Sequence, residues 1–188
     1  MENAPSLPLL NTERLVLRCF APNDAVDVYA YAKSEKVAVM AGFAPHKTLE
    51  ESRAMVQKFM TTQAHWAIVE KATGRLIGSI SLQPDHMRPK IENARRMGYL
   101  LGEGYWGRGY ATEACSEILR YAFEEAGCPV ISAELFPANT KSKRVLKKLG
   151  FTYEGAFRFA RLLPDGTPCN MLTYSLLKTE YDAQPKTR

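Results

Sequence analysis

Residues 104–114 read GYWGRGYATEA, and the rest of the chain is best read outward from them. Gly104, Gly107 and Gly109 lie close together, with Tyr105 and Trp106 among them. A helical pattern starts directly afterwards. Ala111, Ala114, Cys115, Ile118, Leu119, Ala122 and Phe123 recur at the spacing of one helix face, an apolar stripe suited to packing on a sheet. Gly127 and Pro129 mark its end. A helix N-terminus leaves its first N–H groups without partners and carries partial positive charge. Glycines just ahead of it let the main chain approach an anion closely, and Arg108 adds charge at the rim. Two readings fit these residues: a tight strand-to-helix turn, and a cradle for a pyrophosphate. The dinucleotide pattern GxGxxG and the triphosphate loop ending in Gly-Lys-Ser/Thr are both absent.

Upstream, TERLVLRCF alternates apolar and polar residues as a half-buried strand does. Asp24 is placed to cap a helix running to about Lys33. Thr48 and Glu51 have capping-box spacing before Met55, Val56, Phe59 and Met60, which recur at helical intervals. HWAIVEK and LIGSISL form a hairpin around Thr73-Gly74. ARRMGYLL is a further strand, with Met97, Tyr99 and Leu101 on one face. Downstream come a strand at VISAELF and a helix begun by Asn139, with Val145, Leu146 and Leu149 as its stripe and Gly150 as its stop. Two strands near 156–163 and 170–177 close the chain around the turn PDG. This order gives one α/β domain with a mixed sheet, not a doubly wound one. Its core spans about 11–181 of residues 1–188, with loose ends at 1–10 and 182–188.

The chain of 188 residues is 46% hydrophobic and 24% charged, an ordinary balance for a soluble globular protein. No apolar run reaches membrane-spanning length, and the N-terminus lacks the basic start and apolar stretch of a secretion signal, so a cytoplasmic protein is expected. Four cysteines (Cys19, Cys115, Cys128, Cys169) and three histidines (His46, His65, His86) are scattered without metal-ligand spacing, and no metal is expected. The net charge of +5 suits an anionic partner. It concentrates at Lys141, Lys143, Arg144, Lys147 and Lys148, and at Arg88, Lys90, Arg95 and Arg96; either group also reads as a solvated face. No interleaved aromatics mark a base-stacking surface, so direct nucleic-acid recognition is not expected.

Several ordered motifs resemble the GNAT N-acetyltransferase superfamily. Trp106-x-x-Gly109-x-Ala111 looks like its acetyl-coenzyme A loop, which usually reads Gln/Arg-x-x-Gly-x-Gly/Ala; Trp106 stands where Gln or Arg is usual. TERLVLR, TLEES, WAIVEKATGRLIGSISL, NTKSKRVLKKLGFTYEG and YSLLKTEY are similar, in order and spacing, to the Rim-type branch of ribosomal-protein N-terminal acetyltransferases. The resemblance implies a mostly antiparallel sheet with helices on both faces. In it, the strand ending at Leu101 splays in a V from the strand at 130–136, and the pantetheine arm lies in the gap.

The same resemblance implies acetyl-coenzyme A as co-substrate and an amine acceptor. Its pyrophosphate falls to the amides of Trp106, Gly107, Arg108, Gly109, Tyr110, Ala111 and Thr112, and its arm to the backbone of Leu100 and Leu101 and to Asn139. Ser142 matches the group that protonates the leaving thiolate, with Tyr153 as its rival, since Leu146 stands where other members carry a tyrosine. Many relatives have a glutamate base where this chain has Arg96; Glu134 and Glu103 are the substitutes. An α-amine acceptor, as on a ribosomal or other protein N-terminus, would need a base least. A polyamine, antibiotic or amino-acid acceptor is the enzymatic alternative, to be decided by loops near 40–50 and 83–93. An acyl-coenzyme A-binding module without turnover is the alternative of another class. A homodimer is compatible with the family.

Overall fold

The computed structural model describes residues 7–185. Its strands are β1 (Leu10–Asn11), β2 (Leu15–Arg18), β3 (His65–Glu70), β4 (Leu76–Pro84), β5 (Arg95–Leu101), β6 (Val130–Leu135), β7 (Thr152–Leu162) and β8 (Pro168–Leu177). They form one sheet in the order β1-β2-β3-β4-β5-β6-β8-β7. Neighbours run antiparallel at β1–β2, β2–β3, β3–β4, β6–β8 and β7–β8. β5 and β6 are parallel, in register from Arg95↔Ile131 to Met97↔Ala133. The helices are α1 (Ala25–Ala32), α2 (Glu35–Ala41), α3 (Leu49–Thr62), α4 (Tyr110–Arg120), α5 (Thr140–Lys148) and α6 (Lys178–Ala183). This is the mixed α/β architecture that the motif order implied.

The contacts group the described residues into two compact units. The first takes the chain up to Ser81 together with Tyr99–Glu117. Its core gathers Phe20 from the loop after β2, Val28, Tyr31 and Val37 from α1 and α2, and Val56, Ala67, Val69 and Leu76 from α3 and the hairpin strands. Asp24 does not cap α1 with its side chain. Its carboxylate instead accepts from the Ala21 N–H and from both ends of the Arg18 guanidinium at 2.7–2.8 Å, closing the 3-10 turn that leads into α1. Thr48 accepts from the Glu51 N–H as expected, while Glu51 reaches back to the Lys47 N–H at 2.7 Å. Helix α2 was not anticipated; Gly42, at φ 77°, ends it in the left-handed conformation that glycine adopts at least cost.

The second unit takes Leu82–Gly98 and the chain from Ile118. α4 continues here through a π turn at Tyr121–Glu125 and stops where the Cys128 N–H bonds the Ala122 carbonyl around left-handed Gly127. β7 starts earlier than its sequence pattern suggested, because it is an exposed edge strand with register shifts near Gly155 and Phe157.

The expected loose ends differ from the described residues there. Leu10 is buried and pairs with Leu17, the Trp66 indole donates to the Pro8 carbonyl at 2.9 Å, and α6 extends to Ala183. The remainder of those ends, residues 1–6 and 186–188, lies outside the described residues.

Candidate functional site

In the first unit, β5 leaves the sheet at Leu101 and the chain turns at once. The Gly102 N–H donates to the Ile77 carbonyl, and a 3-10 turn forms through Tyr105 N–H to Gly102 and Trp106 N–H to Glu103. Trp106 closes this turn a second time, its Nε1–H on the Leu101 carbonyl at 2.8 Å. The Trp106 main-chain amide donates inside the loop, to the Glu103 carbonyl at 3.2 Å.

Gly107 and Gly109 both lie in the left-handed region, at φ 76° and 84°, and expose the backbone between them. A Cβ on Gly107 would meet nothing within 4 Å. The first bond into α4 runs from the Glu113 N–H to the Gly109 carbonyl at 3.0 Å. The amides of Tyr110, Ala111 and Thr112 precede it and have no acceptor within the helix. Leu100 and Leu101 lie just ahead, so close to β4 that a Cβ on Gly78 would come within 2.2 Å of the Leu100 carbonyl oxygen.

A brace not anticipated from the sequence fixes this turn. Glu113, in the first turn of α4, accepts from the Thr12 hydroxyl (2.5 Å), the Arg14 N–H (2.8 Å) and the Arg14 Nε (2.7 Å). Arg14 also donates to the Arg108 carbonyl at 3.0 Å and lies 4.4 Å above the Tyr110 ring. Burial pushes the Glu113 carboxyl up, but the Thr12 and Arg14 donors outweigh it and hold it below the usual range. The Tyr110 hydroxyl is committed to Glu70 at 2.5 Å, which leaves Tyr110 only its backbone for a ligand. Glu103, exposed, pairs with Lys36 at 2.6 Å.

In the second unit, Asn139 caps α5, its Oδ1 accepting from the Ser142 N–H at 3.1 Å. Ser142 is half-buried at the start of that helix. Tyr153 lies farther along, on β7, its ring 5.2 Å from that of Tyr174. The α5 lysines and Arg144 are exposed, as a solvated face would be. In the other basic group only Lys90 is exposed: Arg88 pairs with Asp85 and Glu154, and Arg96 with Glu134.

That last pair borders a cavity of about 380 Å³, lined by His86, Met87, Arg96, Glu134, Phe157, Ala160, Arg161 and Met171. Glu134 projects from β6 with its side chain only 10% exposed. It accepts from Arg96 at 2.9 Å, with Arg161 at 3.5 Å and His86 Nε2 at 3.4 Å.

The family described as an acetyltransferase (GNAT) domain matches residues 14–152. The chain belongs to the GNAT acetyltransferase family. The Bacillus subtilis protein named as the uncharacterized N-acetyltransferase YoaA is 31% identical over 179 residues, covering 91% of this chain and 97% of that one. YdaF of the same organism, named provisionally as a ribosomal N-acetyltransferase, is 32% identical over 111 residues, 59% of this chain and 58% of that one. The crystal structure of a GNAT-family acetyltransferase from Bacillus anthracis superposes with a TM-score of 0.83 at 26% identity, covering 92% of this chain and all (100%) of that one.

GNAT domains use acetyl-coenzyme A. In the turn before α4 both glycines are left-handed, but only Gly107 is open; a Cβ on Gly109 would meet the Arg14 guanidinium at 3.2 Å. The expected GNAT residues thus divide between the units, Leu100–Thr112 in the first and Glu134, Asn139, Ser142 and Tyr153 in the second. Sequence reading missed Thr12, Arg14 and Glu113. The Thr12-x-Arg14 spacing was visible, but only the folded chain brings it to Glu113. Among the described residues no group of His, Cys, Asp or Glu is placed to hold a metal, and no helix is long and apolar enough to cross a membrane.

Proposed function

We propose that this GNAT acetyltransferase acts on the α-amine of a peptide or protein N-terminus, in the manner of the Rim-type branch. The engagement of its candidate bases carries this reading. Glu134 is held by Arg96, and Glu103 by Lys36. An acceptor amine has to lose its proton before it attacks. At pH 7.4 about a quarter of an α-amine is already neutral, against about one part in a thousand for lysine. An acceptor that deprotonates unaided suits a site whose carboxylates are occupied. The partial similarity to YdaF points the same way.

In this reading the amides of Gly107 to Thr112 hold the pyrophosphate, with the Arg108 side chain at the rim. The Trp106 indole keeps the turn closed through its bond to the Leu101 carbonyl. Bound acetyl-coenzyme A supplies an activated acetyl thioester. The backbone of Leu100 and Leu101 and the Asn139 carboxamide contact its arm. Ser142 delivers a proton to the departing sulfur, with Tyr153 as the second candidate. The whole chain serves as one acetyltransferase domain, in a protein of the cytoplasm.

A small-molecule amine is the second reading, favoured by the size of the cavity bordered by Glu134, about 380 Å³ and within the range of small-ligand pockets. Mass spectrometry of products formed from acetyl-coenzyme A with a peptide library and a panel of small amines separates the two. Acetylated peptide N-termini are expected. Products confined to small amines would replace the first reading with the second.

A further inference from the structure

The cavity of the second unit carries a charge pattern that acetyl transfer alone does not call for. Its walls are apolar at Met87, Phe157, Ala160 and Met171, and its polar groups are Arg96, Arg161, His86 and Glu134. Two guanidiniums, which do not deprotonate in proteins, face a single carboxylate. The cavity therefore holds one positive charge in excess before His86 is counted.

The two arginines are not equally engaged. Arg96 is largely buried and held from two sides, by Glu134 at 2.9 Å and by the Gln83 side-chain oxygen at 3.3 Å. Arg161 projects from the exposed strand β7 with half of its side chain accessible, and its contact with Glu134 is long, 3.5 Å. A guanidinium has five N–H donors in a fork that matches a carboxylate, so this contact leaves most of its capacity unused. Of the apolar walls Met171 is buried while Met87, Phe157 and Ala160 are exposed, so the attraction of an anion rests on the two guanidiniums themselves.

We infer that this cavity binds a carboxylate carried by the acceptor, with Arg161 as its principal contact and Arg96 as the fixed second cation. The acceptor is then an amine that also bears an acid, and amines with a cationic tail are disfavoured. Two sources share this chemistry: an acidic first side chain on a peptide, and the α-carboxylate of a free amino acid. The link to the acceptor rests on the transferase reading; the anion site rests on the cavity's own charges.

The test measures binding and turnover separately. Peptides beginning with Glu, Gln or Lys, and free methionine beside methioninamide, are titrated calorimetrically into the protein and then assayed by mass spectrometry with acetyl-coenzyme A. An acid is expected to bind about tenfold tighter than its amide counterpart, the yield of one charge-assisted hydrogen bond. The pair that shows this names the source. Arg161→Gln is expected to bring the ratio near one, and Arg161→Glu to invert it in favour of the Lys peptide. Both changes lie on an exposed strand, and an unchanged melting temperature verifies the fold.

Equal binding of acids and amides, or a preference untouched by either variant, overturns the inference. Acetylation without charge preference sinks the anion site and leaves the transferase reading standing. A preference in binding with no acetylated product does the reverse.

Discussion

Removing the Glu113 carboxylate tests whether the turn before α4 is held from outside. Glu113→Ala deletes acceptors for the Thr12 hydroxyl, the Arg14 N–H and the Arg14 guanidinium. The Glu113 side chain is 17% exposed and that of Arg14 41%, so the pair sits between a buried and a surface interaction. Hydrogen bonds to charged groups contribute roughly 1.5–3 kcal/mol each when sheltered, and exposed ion pairs roughly 0–1 kcal/mol. Three partly sheltered bonds then amount to about 2–3 kcal/mol in all. In a chain of this length that is a fall in melting temperature of about 5–10 °C.

Differential scanning calorimetry at pH 7 reads the shift, and a double-mutant cycle with Arg14→Ala is expected to give a coupling of more than about 1 kcal/mol. The pH dependence follows from the depressed Glu113 carboxyl. Its folded value lies below its unfolded value, so its stabilisation is complete above the ordinary carboxylate range and is lost as pH falls through the folded value. Wild type and Glu113→Ala should therefore converge in acid. A shift under about 2 °C at pH 7, or additive single mutants, would refute the brace.

Gly78→Ala places a Cβ 2.2 Å from the Leu100 carbonyl oxygen, so it is expected to destabilise more than Gly104→Ala, which meets no atom within 4 Å; equal urea midpoints would contradict this. Asn139→Ala should cost about 1 kcal/mol as a lost helix cap. Asn139→Asp should restore that stability while leaving the KM for acetyl-coenzyme A raised, which separates the cap from the proposed contact. His65, stacked on Phe59 at 4.0 Å, has its pKa lowered to about 4, first by burial and then by Lys58. Protons therefore favour the unfolded chain, and stability should decline as pH falls from about 6.5 towards about 4. His65→Phe should flatten that window in urea titrations at stepped pH.

The elements that were legible in the sequence are those whose side chains repeat on one face. The α4 stripe from Ala114 to Phe123 is buried, and β3 and β4 pair around Thr73-Gly74. Helix α2 escaped because its seven residues, EKVAVMA, are too few for a periodicity to stand out, though Ser34 and Gly42 bracket it. The start of β7 leaves no mark in the sequence, because its exposed residues do not alternate. In the candidate site, the left-handed glycines followed from local chemistry. The Glu113 brace joins residues about a hundred positions apart, and the Arg96–Glu134 pair depends on the β5–β6 register. No local pattern records either.

The hydrogen bond from Trp106 to Leu101 has an optical consequence. The chain has two tryptophans. Trp66 is sealed in the core at 1% exposure, while Trp106 is half-buried at the hinge of the glycine turn. Any ligand that draws that turn towards itself alters the polarity around one indole and leaves the other untouched. In a Trp66→Phe background the protein would carry a single built-in fluorophore at that junction. Its emission would follow occupancy of the turn in real time, with no label attached and no turnover required.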